Sequence, residues 1–252
     1  MKTSFKSIIL LLVVGSMFAC NDMNESIDKF MENGERLYMG KVDSVKTFAG
    51  QNRFMVSFFL KDPRVDALTI FWNQKGDSIV LPIAAHSPDS LFKVSVGGGT
   101  FPEGNAVLQF IAKSKSKYQS MTVEGSVNVY GNSYQEKLIS RYYNKVANNA
   151  YNSTRNTVNV YFGTAANQSE IGVSMRFFNK KLGAEKDTLI SAASIAAANN
   201  ISKGGLGYMV IPNIEYDKAA KPLTYRTLYL PEPTAIDTFY SKRDTIQTLK
   251  IQ

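Results

Sequence analysis

The sequence predicts an all-β protein, two antiparallel sandwiches in tandem behind a short N-terminal helix, and three observations carry that prediction. From Tyr38 onward, apolar runs of strand length alternate with turn residues. The 252 residues are 44% hydrophobic and 12% aromatic, enough to bury a real core, and the length suits one large or two ordinary β domains. A short internal echo joins the halves: Thr69-Ile70-Phe71-Trp72-Asn73 runs into Gly76-Asp77-Ser78, and Met175-Arg176-Phe177-Phe178-Asn179 runs into Gly183 and Asp187-Thr188.

Residues 1–19 form an export signal. Met1 to Lys6 carries two lysines and no acid, Ile8 to Val14 is unbroken apolar sequence, and the small residue Ala19 precedes Cys20. The apolar run is too short to span a bilayer. Cys20 is the sole cysteine, which excludes an internal disulfide and zinc–thiolate centres, and its place suits acylation. Cys20 is therefore expected to be the mature N-terminus, with its lipid as the membrane anchor. The alternative is an ordinary cleaved signal beside a chance cysteine. Cleavage leaves 233 residues and, without Lys2 and Lys6, a formal charge of +6 in place of +8.

Residues 20–36 are the lipidated N-terminus and a short helix. Ile27, Phe30 and Met31 lie at helical spacing within Ser26 to Glu35, and Gly34 offers a stop. The opposite face lacks the Lys/Arg richness of interfacial helices, so the apolar stripe is expected to pack on the first sandwich. That sandwich, residues 37–131, takes one strand near Val42 and six more: Arg53 to Leu60, Ala67 to Asn73, Ser78 to Ile83, Leu91 to Val96, Asn105 to Ala112 and Thr122 to Tyr130. Turns such as Asp62-Pro63, Lys75-Gly76-Asp77 and Ser87-Pro88-Asp89 separate them.

Seven strands in about a hundred residues argue for an immunoglobulin or fibronectin type III shape. Phe101-Pro102-Glu103-Gly104 ahead of Val107 to Ala112 resembles the late turn and strand of fibronectin type III modules, but Ala106 and Val107 stand where a tyrosine is expected. A connector, residues 132–156, holds a short helix or turn at Tyr134 to Tyr143. The second sandwich, residues 157–252, takes Thr157 to Phe162, Gly172 to Phe178, Thr188 to Ser191, Tyr208 to Ile211, Leu223 to Leu230 and Thr245 to Ile251. Ser191 to Gly205, rich in Ala and Asn, shows no clear period.

Catalytic chemistry finds little purchase. His86 is the only histidine and no Gly-x-Ser-x-Gly turn occurs, so no nucleophilic triad is expected. The 21 acidic residues show no spacing that marks a glycosidase pair. A histidine metal cluster is excluded and no EF-hand loop is present, so neither metal nor cofactor is expected. Gly97-Gly98-Gly99 lacks the Lys and helix of a phosphate cradle and reads as a loop. Lys113-Ser114-Lys115-Ser116-Lys117 is the densest basic patch, either a solvated turn or a contact for anionic polysaccharide. Nucleic acid is not expected for an exported chain, despite a pI near 9.4.

Sugar binding would show in exposed aromatics among amides and carboxylates. Trp72, amid Leu68, Ile70 and Phe71, is expected in the core. Tyr142, Tyr143 and Tyr151 lie in the connector among Asn144, Asn148, Asn149 and Asn152 and are the candidate glycan contacts, with packing at a domain interface as the alternative.

Glu35-Arg36-Leu37-Tyr38-Met39-Gly40-Lys41-Val42-Asp43-Ser44-Val45, then Asp62-Pro63-Arg64-Val65 and Ile70-Phe71-Trp72-Asn73, resembles a group of Bacteroidetes lipoproteins, domain of unknown function 4998. Tyr225-Arg226-Thr227-Leu228-Tyr229-Leu230-Pro231-Glu232 and Ala235 to Tyr240 are similar to the closing segment of the same proteins. The resemblance implies an outer-membrane lipoprotein associated with polysaccharide utilisation. The acidic stretch after Cys20 resembles the signal for the outer face, with the periplasmic face as the alternative.

Ser44, Ser78, Ser90, Thr188 and Thr245 each follow an aspartate and precede an aliphatic residue, which resembles the O-glycosylation acceptor of these bacteria. Asp-Ser and Asp-Thr also initiate turns before strands. The expected function is a non-enzymatic surface lipoprotein that binds glycan or assists polysaccharide-uptake proteins. The alternative is a structural or adhesive protein-interaction module.

Overall fold

The computed structural model describes residues 38–115, 118–144, 149–165, 167–201, 209–217, 221–246 and 250–251. The export signal, Cys20 and the helix expected at 26–35 lie outside the described residues.

The first unit is a sandwich of seven strands. One sheet has the order β1 (Asp43–Ala49), β2 (Phe54–Phe59), β5 (Leu91–Val96). The facing sheet has the order β4 (Asp77–Pro82), β3 (Ala67–Trp72), β6 (Gly104–Lys113), β7 (Val123–Val129). All these neighbours are antiparallel. Parallel bridges Met39↔Ser120 and Gln51↔Tyr130 close the edge between the two sheets. The strand order and pairing are those of a fibronectin type III-like sandwich.

The alternation along each strand explains the layers. On β6, Leu108, Phe110 and Ala112 are fully buried while Val107, Gln109 and Ile111 face outward, because successive side chains point to opposite faces. They meet Phe54, Val56 and Phe58 of β2 and Leu68 and Ile70 of β3 in one apolar core. Each fully buried Phe or Leu contributes about 1.5–3 kcal/mol.

The second unit repeats the plan. β12 (Met209–Ile211), β9 (Thr157–Val160), β8 (Ala150–Asn152) and β16 (Lys250–Ile251) form one sheet. The other has the order β11 (Ala184–Ser191), β10 (Glu170–Asn179), β13 (Thr224–Tyr229), β14 (Phe239–Tyr240), and β15 (Asp244–Thr245) also pairs with β13. The last strand of the first unit thus corresponds here to two short pieces, after which β16 pairs in parallel with β8. The echo seen in the sequence has a structural meaning: β3 and β10 each hold a central place in the larger sheet, and each is followed by its hairpin partner.

Three features depart from the expected boundaries. The second unit reaches back into 132–156: β8 pairs with β9, Tyr143 bridges Phe162, and the Tyr225 hydroxyl donates to the Arg141 carbonyl at 2.7 Å. Among the described residues, α1 (Asn132–Glu136) is the one helix between the units. The Ala/Asn stretch forms α2 (Ala192–Ile201), which packs near β10 and β11 with Ile195 buried. Its alanines favour helix but supply no amphipathic period, so the pattern is silent there.

Residues 231–238 of the second unit dock onto the first. Arg53 donates to Asp237 through Nε at 2.8 Å and Nη2 at 2.5 Å, and the Gln51 amide donates to the same carboxylate at 2.8 Å. The Ile236 amide donates to the Ala49 carbonyl at 2.8 Å. Asn128 and Tyr130 each donate to Glu232 at 3.0 Å, and Tyr130, Tyr134 and Phe239 stack edge to face.

Candidate functional site

Trp72 ends β3 at one pole of the first sandwich, packs against the first core as expected from its apolar neighbours, and is left half-buried there. It lines a cavity of about 440 Å³ with Phe101, Asn73, Gln74, Asp77 and Asn105 among the other walls. The β3–β4 turn makes the polar rim. Asn73, Gln74 and Lys75 all take positive φ, at 50°, 53° and 69°, a left-handed run that non-glycine residues adopt at a cost of about 1–2 kcal/mol each. Backbone strain of this kind collects at functional sites.

The opposite wall comes from the loop between β5 and β6. Gly97, Gly98 and Gly99 take φ of 103°, 53° and 92°, and a Cβ on Gly97 would stand 2.6 Å from that of Phe101. The triglycine therefore lets the loop turn tightly and set Phe101 down, which agrees with its reading as a loop. The Phe101 amide donates to the Asn52 carbonyl at 2.8 Å, and Asn52 Nδ2 donates back to the Phe101 carbonyl at 3.0 Å. The fixed phenyl ring lies 5.3 Å from Trp72 and 4.9 Å from Phe54.

The polar groups of the cleft divide by commitment. Glu103 accepts the amides of Ser133 and Tyr134 at 2.9 and 2.7 Å and is occupied with capping α1. Burial pushes its pKa upward, but these amides outweigh it and hold the carboxyl below its ordinary value. Asn73 Nδ2 donates to Asp77 at 3.1 Å, and Asn105 Nδ2 donates to Asn128 at 2.8 Å. Among the described residues the Gln74 carboxamide has no partner, and it is exposed. The half-buried indole, backed from the core by the Phe101 ring, beside free and half-committed amides and a carboxylate suits a sugar ring, which offers an apolar face and hydroxyl edges.

The tyrosines singled out in the connector do not form such a platform. Tyr143 is 2% exposed and Tyr151 7%, both in the second core, where Tyr143 stacks edge to face on Tyr225 and Tyr151 on Tyr216. Only Tyr142, 61% exposed, could touch a ligand. A period-two segment sends neighbouring tyrosines to opposite faces, and Tyr151 belongs to β8. The sequence signal that would have found the cleft was Trp72 followed directly by a polar turn.

The five hydroxyls of the Asp-Ser and Asp-Thr motifs sit at or near strand starts or, for Thr188, inside β11. Ser44 and Ser78 are exposed, whereas Ser90, Thr188 and Thr245 are half-buried. His86 lies in the β4–β5 loop, its ring against Phe92 and its Nδ1 3.1 Å from the Ala84 carbonyl. Lys115 of the basic patch donates its amide to Asp66 at 2.9 Å, and Ser116 and Lys117 lie outside the described residues. Among the described residues no cluster of His, Cys, Asp and Glu could hold a metal, and no helix is long and apolar enough to cross a membrane.

Tandem antiparallel sandwiches with an aromatic, amide-rimmed cleft at one pole define an all-β protein of fibronectin type III-like build. The chain belongs to the DUF4998 family, a domain of unknown function, whose model matches residues 20–239. No curated protein shows significant similarity to it.

Among solved structures it is similar to chicken CNTN1 domains FN1–FN3, with 10% identity and a TM-score of 0.39 over 82% of this chain and 66% of that one. It is also similar to a 1.5-MDa bacterial ice-binding adhesin, with 11% identity and a TM-score of 0.33 over 86% and 67%. The central fibronectin-III array of RIM-binding protein matches with 8% identity and a TM-score of 0.28 over 84% and 69%. The chain thus spans about two thirds of the first two, and none is similar enough to lend it a partner.

Proposed function

We propose that this chain is a non-enzymatic outer-membrane lipoprotein, anchored through Cys20 and facing outward, that takes a sugar ring of a polysaccharide in the cleft beside Trp72. The observation that carries the reading is the half-buried Trp72 indole, backed by Phe101 at 5.3 Å, beside the Gln74 amide, which has no partner among the described residues and sits on a left-handed turn. The export signal and the acidic residues after Cys20 support the location. A protein-contact role is the second reading, favoured by Val80 and Val107, 60% and 56% exposed on the outer face of the β4-β3-β6-β7 sheet.

Affinity electrophoresis of the mature chain against neutral plant, host and microbial polysaccharides tests the first reading. At least one glycan is expected to retard the wild type, and Trp72→Ala to weaken that retention about fivefold or more, as loss of one stacked ring removes about 1–3 kcal/mol. Equal retention by the variant would move the site elsewhere. No retention by any glycan would favour the protein-contact reading.

A further inference from the structure

The outer face of the β11-β10-β13-β14 sheet carries three arginines around one carboxylate. Arg176 of β10 lies opposite Asp187 of β11 and grips it through Nε at 2.9 Å and Nη2 at 2.6 Å. Arg243, between β14 and β15, reaches the same carboxylate at 3.3 Å. Arg226 of β13 lies opposite Ser174, one diagonal step from Arg176, with its guanidinium 3.7 Å over the Tyr240 ring. Three positive charges thus gather around the Asp187 carboxylate, and the further negative charge that Arg176 feels, Glu185, is itself paired with Lys221 at 3.0 Å.

The donors are not all used. The Arg226 Nε–H and the Arg243 Nη1 group are shielded from solvent and have no hydrogen-bond partner among the described residues. A shielded guanidinium N–H without an acceptor is costly, and one carboxylate cannot serve three planar forks. Burial chiefly, and after it the neighbouring Arg176 and Arg226 charges, lower the Arg243 pKa against the opposing Asp187 carboxylate, so that one carboxylate does not offset the desolvation and like charge around this guanidinium. All three arginines are half-buried, and small rotations of their outer side-chain bonds can bring the idle donors to an acceptor at the surface.

We propose that this cluster binds an oxyanion, the carboxylate or sulfate ester of an acidic polysaccharide, with Arg226 and Arg243 supplying the free donors and Arg176, held by Asp187, adding charge. The site lies on the second unit, distinct from the Trp72 cleft of the first. The oxyanion chemistry follows from the geometry above; that a polysaccharide carries it rests on the glycan-binding reading, and the two fail separately in the test.

The full chain in neutral detergent is titrated with sodium sulfate and with sodium galacturonate at constant ionic strength, and the arginine Nε–H resonances are followed. The Arg226 signal is expected to shift saturably, and the absence of a saturable shift with either anion would overturn the site without recourse to any variant. Gel retardation by polygalacturonate or dextran sulfate is expected to fall at least tenfold in Arg226→Gln/Arg243→Gln and to persist in Trp72→Ala. Saturable monomer binding with no retardation by either polymer would refute the polysaccharide as carrier while leaving the oxyanion site. Undiminished retardation in a folded Arg226→Gln/Arg243→Gln variant would attribute polymer binding to the chain's net positive charge and overturn the assignment.

Discussion

At the residue scale, the most consequential side chain is buried. Arg141 is 2% exposed and Glu170 0%, joined at 2.5 Å. Arg141 also donates from Nε to the Gly163 carbonyl at 2.8 Å, while its backbone amide and carbonyl bond Thr227 and Tyr225. A charge removed from water needs such saturation, and taking away one partner strands the other. Arg141→Met is therefore expected to cost about 3–5 kcal/mol, read as a lower urea midpoint at unchanged m-value. Nearby Tyr229 donates to the Ile139 carbonyl at 2.6 Å, and burial pushes its phenol up to about 12, so this bond keeps its proton across the physiological range.

At the scale of elements, β10 shows how a small residue sets strand pairing. Its register shifts between Glu170 and Gly172 where it meets β13, and Gly172 also pairs with Ser191 of β11. A Cβ there would come within 2.3 Å of the Ile190 carbonyl oxygen, which is backbone and cannot swing away. Gly172→Ala is expected to destabilise the second unit by about 1–3 kcal/mol, with amide exchange accelerating along β10 and β11 before the first unit. Equal exchange rates in wild type and variant would show that the sheet absorbs the methyl group.

At the scale of the whole molecule, the two sandwiches have separate cores but share a polar clasp. The hydrogen bond from Arg53, chiefly, holds the Asp237 carboxyl below its ordinary value against the opposing effect of burial, and the Gln51 amide and the Arg53 charge add to it. A carboxyl depressed in the folded state stabilises it above the unfolded pKa of about 3.9, and that contribution is lost as pH falls through the lower folded value. Acidification below about pH 4 is therefore expected to loosen the docking of residues 231–238. X-ray scattering should show a larger radius of gyration for Asp237→Asn at neutral pH, and a stability profile flatter in acid than that of the wild type. Identical scattering would show that the Tyr130, Tyr134 and Phe239 contacts suffice.

Much of this architecture was legible in the sequence. All seven strands of the first unit, the main strands of the second and the echo between β3 and β10 follow from local alternation and turn chemistry, which act over a few residues. Short β8 and β14 escaped because two or three residues show no period, and their pairing depends on distant strands. Alternation along a segment says that Tyr142 and Tyr143 face opposite ways but not which one faces water, because that depends on where the second core lies. The cleft and the arginine cluster arise only where the fold brings together Trp72 with Phe101, or Arg176 with Arg226 and Arg243. The sequence by itself determined the fold class and the strand ladder, since periodicity is local. Only the tertiary structure decided which side chains converge, since convergence is set by sheet order and loop closure across the chain.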